Sequence, residues 1–398
     1  MRVFSIALVA AVLMTGGTAA AQDATDAEAE SPAVPPVTAP LELIDEELQN
    51  EALEASEEDE APVSEPVLAP PPQSGGAMDT LFGEAQFAYA SGEYATALLR
   101  AETAAAGGHA EAATLAGIIH AEARVPQASD RAALAWFRRA ADTEEPVALY
   151  WMGRLAQAGR AGLTPGTAGG YYRRAAVGGH LPSMLAYALS LKATDVPQNA
   201  PEALDWAERA AELGDVEAMY QRALMGSEWQ HGPRDLADAR RWFVRAAEAG
   251  HAEAALQAGL MAATGEGGEE DAETALRWVR QSAEAGYPPA QGQYGLMLYQ
   301  GWNGAEPDLV NAAYWFREGA EGGDAESQFL YAYALARGEG VTQNLEAAYG
   351  WAWMARTDFD GAPVENETRD MLIQRLETVL PSDVTARLRR EAVEAAGG

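Results

Sequence analysis

The 398-residue sequence predicts an all-α solenoid of stacked helical hairpins, and three observations carry the prediction. An anchor position, usually aromatic, recurs about every 36 residues. Small residues flank it one helical turn to either side, and a glycine follows it at a fixed distance. Self-similarity at a constant period is the signature of repeat architectures.

In chain order, residues 1–21 come first. MRVFSIALVAAVLMTGGTAAA carries one Arg, an apolar run from Val3 to Met14 and a small-residue end at Ala19, Ala20 and Ala21. This is the pattern of a cleavable secretory signal. The apolar run falls short of the 18 or so residues that a membrane span needs, so no membrane span is expected. A periplasmic or secreted location follows, and zero cysteines leave stability to packing alone.

Residues 22–78 contain 15 acidic residues, nine prolines and no Lys or Arg. Such a composition cannot bury enough apolar surface to offset chain entropy, and a disordered linker is expected. One island, LELIDEELQNEAL, places Leu41, Ile44 and Leu48 on a single helical face. It is either a docking helix or a transient helix in a tether. The formal net charge of -33 repels phosphate backbones, which excludes nucleic acid as a partner. The charge either favours a protein or peptide partner with a basic surface or serves only solubility.

Residues 79–357 hold about eight units. Their anchors are Arg100, Trp136, Tyr171, Trp206, Trp242, Trp278, Trp315 and Trp351, spaced 36, 35, 35, 36, 36, 37 and 36 residues apart. Alanine stands three residues before every anchor, and Ala, Ser or Gly four residues after it. These positions share the anchor's helical face, so the ring has room to lie against a neighbouring helix. Seven residues before the anchors come Ser129, Thr164, Asn199, Asp235, Asp271, Asp308 and Asn344, all helix-capping types. Eight residues after come Gly108, Gly179, Gly214, Gly250, Gly286 and Gly323, suited to ending a helix in the left-handed conformation. Each unit is therefore read as a capped helix of about 14 residues, then a second apolar helix that completes a hairpin. Seventeen residues past the anchors only Gly or Ala occurs, from Gly117 to Ala332, which predicts a close helix crossing.

These columns, with turns such as Gly338-Glu339-Gly340-Val341, resemble Sel-one-like repeats, relatives of the tetratricopeptide repeats. The resemblance covers about residues 93–357 and implies a right-handed superhelix that binds proteins or peptides on an extended surface. It also implies a scaffold or regulator rather than an enzyme. FAYASGEYATALLRAE, residues 87–102, is closer to a tetratricopeptide start, which suits a capping first unit. Within residues 358–398, ETRDMLIQRLETVL and SDVTARLRREAVEAA read as two amphipathic helices that close the array.

Candidate chemistry is sparse. His109, His180 and His251 each follow the terminating-glycine column, 71 residues apart, and at roughly 20 Å separation they cannot share a metal. They are read as turn residues, and the isolated His120 and His231 as structural. The acidic stretch ATGEGGEED, residues 263–271, lacks the alternating ligands of a calcium loop and reads as a solvated turn with a helix cap. No cofactor fingerprint occurs. Cysteine-rich relatives have been linked to penicillin binding or hydrolysis, but an envelope hydrolase acting on peptidoglycan or β-lactams, the alternative function, lacks an identifiable nucleophile beside a base. Among ten tryptophans, Trp229 and Trp302 sit in inter-unit loops, where each ring is either a lid on a neighbouring core or an exposed partner anchor.

Overall fold

The computed structural model describes residues 75–230, 232, 234–357 and 361–396. Among them the chain forms eighteen α-helices, and only an isolated bridge between Thr357 and Pro363 interrupts the all-α pattern. In order these are α1 (Gly75–Ala90), α2 (Tyr94–Ala106), α3 (Ala110–Ala121), α4 (Asp130–Ala141), α5 (Pro146–Gln157) and α6 (Ala168–Val177). Next come α7 (Leu181–Ala193), α8 (Ala200–Glu212), α9 (Val216–Ser227), α10 (Leu236–Glu248), α11 (Ala252–Thr264) and α12 (Ala272–Glu284). The last are α13 (Pro288–Gln300), α14 (Leu309–Glu321), α15 (Ala325–Arg337), α16 (Leu345–Met354), α17 (Glu367–Val379) and α18 (Ser382–Ala396). The first helix thus begins four residues before the expected boundary at 79.

The anchors lie on the even-numbered helices from α2 to α16. Most of the expected capping residues act as such: Ser129, Asp235, Asp271, Asp308 and Asn344 each accept a hydrogen bond from an amide in the first turn. Thr164 and Asn199 do not. Pro165 and Pro197, with φ fixed by the ring, start 3-10 turns (Pro165–Thr167 and Pro197–Asn199) that feed α6 and α8 instead. The anchor helices from α4 onward run ten to thirteen residues rather than 14. All six terminating glycines have φ between 85° and 95°, the region that disfavours a Cβ. Where glycine is missing, Glu144 itself adopts φ 56°, and its carboxylate meets Arg174 at 2.7 Å.

From α3 to α15, each odd helix packs more extensively on the even helix that follows it than on the one before. A Cβ at Gly117 would stand 2.4 Å from the Phe137 ring, and one at Gly153 2.4 Å from Tyr172. At Gly259 and Gly295 it would stand 2.7 Å from Val279 and Phe316. The close crossing expected at this column is present, but it joins a second helix to the next unit's anchor helix. The compact hairpins are therefore α1–α2, α3–α4 and onward to α15–α16, eight in all. They are shifted half a period from the hairpin read in the sequence. After them, α17 and α18 pack on α16, where Ile373 and Leu376 join Tyr349 and Ala352 in one buried cluster.

Candidate binding surface

A second capping column, not picked out in the sequence, organises the odd helices. The residue after each terminating glycine starts the next helix, and the side chains of His109, Glu145, Asp215, His251 and Asp324 accept from amides two or three residues on. The three regularly spaced histidines are thus turn residues whose rings act locally. Nδ1 of His109 and of His251 caps α3 and α11, and Nδ1 of His180 lies 2.7 Å from Ser183 Oγ. The same residues tie neighbouring hairpins together. His251 stacks on Tyr220 with ring centroids 4.4 Å apart, His180 lies 4.9 Å from Tyr150, and Glu145 accepts from Thr114 at 2.7 Å.

With their termini anchored in this way, the odd helices present one stripe each to solvent, at positions 11, 15, 18 and 22 residues after the preceding anchor. On a helix these positions share a face. The middle of the stripe stays half-buried along the array, at Leu115, Trp151, Ala186, Gln221, Gln257 and Gln293, and again at Ile118, Leu189, Leu224 and Leu260. Arg154 is the exposed exception. On the even helices the corresponding outward position is open: Leu99, Ala135, Gly170, Asp205, Arg241, Arg277 and Tyr314 are all exposed. Odd helices also touch the next odd helix directly, α1 on α3, α3 on α5 and α13 on α15. The stripes of the odd helices are thus the more shielded of the two outward faces.

The stripe is apolar toward α3, α5 and α7 and amide-rich across α9, α11 and α13. Its first turns carry Glu111, Glu217, Glu253 and Glu326, and its far ends Glu122 and Glu228. Tyr220 and Tyr287 both lie near the Glu253 carboxylate. Burial first, and then the neighbouring carboxylate, push both phenols upward, Tyr287 to about 12. His251 Nε2 lies 3.3 Å from Glu217. Four buried side-chain atoms among the described residues lack a hydrogen-bond partner, and two of them, Gln257 Oε1 and Gln300 Nε2, belong to this stripe. The others are Gln328 Oε1 and Nδ1 of the buried His120, whose imidazole burial holds below its ordinary pKa.

The two loop tryptophans lie elsewhere. Trp229 is 8% exposed and sits in one core cluster with Met225, Trp242 and Trp278. Trp302 is half-buried against Ala275, Val279 and Met297, and its Nε1 donates to the Ala272 carbonyl at 2.9 Å. Trp229 thus covers the core it sits in, and Trp302 packs half-buried over its own. The interloop chain has to cross the end of a hairpin core, and a large ring there covers more apolar surface than it exposes. Leu41, Ile44 and Leu48 lie outside the described residues, as does His231. In the acidic stretch, Asp271 caps α12, and hydrogen bonds led by the Thr274 amide hold its carboxyl below the usual range. A recess of about 1020 Å³ beside α10 and α12 is lined by Arg240, Arg241, Arg245, Glu269, Glu270 and Glu273, among others, and mixes both charges. Among the described residues no cluster of His, Asp or Glu is placed to hold a metal ion, and no helix is long and apolar enough to cross a membrane.

A family model described as the Sel1 repeat matches residues 110–142, 183–215, 216–251, 252–287, 288–324 and 325–355. The segments correspond to odd–even helix pairs, the same phase as the compact hairpins. No curated protein matches the chain. Among solved structures, a Sel1 repeat protein from Oxalobacter formigenes is 23% identical with a TM-score of 0.58, covering 79% of this chain and 98% of that one. A protective antigen of uropathogenic Escherichia coli strains, displaying an SLR fold, is 20% identical with a TM-score of 0.34, covering 80% and 84%. With six repeats matched over more than half of its length, the chain belongs to the Sel1 repeat family.

Proposed function

We propose that this chain is an exported scaffold or regulator that binds a protein or peptide segment along the stripe of its odd helices and has no catalysis of its own. The observation that supports this reading is the half-buried stripe held in one register on α3 to α13, while the outward positions of the even helices are open. A shielded surface formed by many equivalent helices suits an extended partner better than a small molecule. The form of residues 1–21 supports export, and the first turns of the stripe supply acidic groups for a basic partner surface.

The test is affinity capture from envelope extracts with three mature chains: unaltered, Ile118→Asp with Leu189→Asp on the stripe, and Leu99→Asp on the outer face. Helicity is checked by circular dichroism. The expected outcome is a protein retained by the unaltered and Leu99 chains and lost from the stripe variant. Capture that survives the stripe substitutions would overturn this reading. N-terminal sequencing of the exported protein checks cleavage after Ala21.

A further inference from the structure

The stripe departs from its own repeat at α5. Eighteen residues past the anchors it is apolar or aromatic at Ile118, Leu189, Leu224, Leu260, Leu296 and Tyr333, but α5 places Arg154 there. Three residues earlier, where the other units have Leu, Ala or Gln, α5 has Trp151. Trp151 is half-buried and Arg154 exposed. Ile118 and Leu189 hold Arg154's place in the units on either side, so the packing of the helices does not require a cation.

Residues 146–194 contain no Asp or Glu, in a chain that has 60. Arg160 and Arg174, from the same stretch, reach beyond it to Asp130 and Glu144, whereas Arg154 meets no carboxylate among the described residues. Its Cζ lies 4.7 Å from the centroid of the Trp151 ring, and that ring is itself stacked on Phe137. Stacking engages the face of a guanidinium and leaves the N–H fork at its edge for in-plane bonds, the geometry in which a carboxylate is held. Apolar surface adjoins the pair: α3 touches α5 directly, and Ile118 and Trp151 pack half-buried on one core cluster. Trp and Arg are also among the residue types that carry most of the energy of protein interfaces.

We propose that Trp151 and Arg154 form a docking point for a partner protein segment in which an Asp or Glu side chain is flanked by apolar residues. The carboxylate pairs with Arg154, and an apolar neighbour rests on Trp151 and Ile118. This deepens the functional reading above and rests on it. It also orients the partner, because charge fixes register across an interface. Glu217, Glu228 and Glu253 stand on the stripe at α9 and α11, and α5 and α7 carry no acidic residue. The partner's acidic residue therefore belongs at the α5 end, and its basic residues lie toward α9 and α11.

The experiment pans a phage-displayed library of random 12-residue peptides against the mature chain. The formal charge of -33 by itself favours Lys and Arg peptides, and about 0.15 M salt screens that distant field. The retained peptides are expected to be enriched in Asp or Glu beside apolar residues, against the sign of the whole chain. Arg154→Glu should exchange that enrichment for Lys or Arg. Arg173→Glu, the same change at an exposed residue of α6, should leave it as it was. The most enriched peptide, labelled with fluorescein and titrated by anisotropy, should bind Arg154→Gln at least about tenfold more weakly than the unaltered chain. The melting temperature should be nearly unchanged, because Arg154 is exposed. Retention of no peptides or of basic ones alone, acidic enrichment that survives Arg154→Glu, or its equal loss with Arg173→Glu would overturn the docking point. Protein capture that depends on Ile118 and Leu189 but ignores Arg154 would remove the docking point and leave the functional reading standing, so the two fail separately.

Discussion

Gly117 offers a direct measure of how the close crossing specifies the stack. A Cβ there would meet three ring carbons of Phe137 at 2.4, 2.6 and 2.9 Å, where carbon atoms ordinarily rest about 3.5–4.0 Å apart. The ring would have to retreat by about 1 Å. It has little room to do so, being fully buried and stacked on Trp151 with centroids 6.1 Å apart. Overpacking of this kind costs about 1–3 kcal/mol, and Ala in place of Gly in a helix interior returns about 1 kcal/mol. Gly117→Ala should therefore be neutral to destabilising by about 2 kcal/mol. Gly83 supplies the control: it lies inside α1, and its Cβ would find nothing within 4 Å. Gly83→Ala should stabilise by about 0.5–1 kcal/mol. Urea unfolding followed by circular dichroism compares the two, and Phe137→Leu completes a double-mutant cycle whose coupling with Gly117→Ala should be about 0.5–3 kcal/mol and relieving in sign. If both alanines stabilise alike and the cycle shows no coupling, the glycine column does not set the crossing.

Three further outcomes are expected. Trp242→Ala and Trp229→Ala should each lower stability by about 3–5 kcal/mol in chemical denaturation, since both rings are buried; a Trp229 variant as stable as the unaltered chain would return that ring to the partner-anchor reading. Deleting residues 242–277 joins Arg241 to Trp278 and keeps every column, so the array should refold cooperatively by circular dichroism. Deleting 242–259 should unfold it from that point onward. Asp324, half-buried, has its carboxyl pushed above the usual range by desolvation, which outweighs the stabilising bonds from Ser327. Its raised folded-state pKa means that the neutral form is favoured in the fold. Its contribution is best below the unfolded-state value near 4 and is lost as pH rises through the folded one. Asp324→Asn, which keeps the cap acceptor, should raise the melting temperature at pH 7 and lose that advantage below about pH 4.

The period, the anchors and the glycine turns were legible because each imposes one residue type on one place: a ring in a gap between helices, a residue without Cβ at positive φ. The phase of the hairpin was not. Gly117 announces a close approach without saying which neighbour approaches, and Phe137 in the next unit is as near in sequence terms as α2 in its own. Thr164 and Asn199 match the capping pattern by type, yet Pro165 and Pro197 redirect the backbone before the helix begins. The cap column of His109, Glu145, Asp215 and Asp324 was hidden by its mixed composition, since chemically different side chains can accept the same amide. The stripe was hidden for a related reason. Glutamine and leucine at Gln257 and Leu260 look ordinary on an amphipathic helix, and only the half-buried state imposed by neighbouring helices sets them apart.

The alternation of interfaces also has a mechanical consequence. Odd and even helices locked at a glycine crossing make a stiff plate, whereas successive plates meet over the less extensive even–odd contact, strapped by bonds such as Arg139 Nη2 to the Ala105 carbonyl and Gln281 Nε2 to the Ala247 carbonyl. Pulled from its ends, the array should behave as a spring with compliant joints. It should yield plate by plate, each releasing a period of about 36 residues, or roughly 120–130 Å of contour.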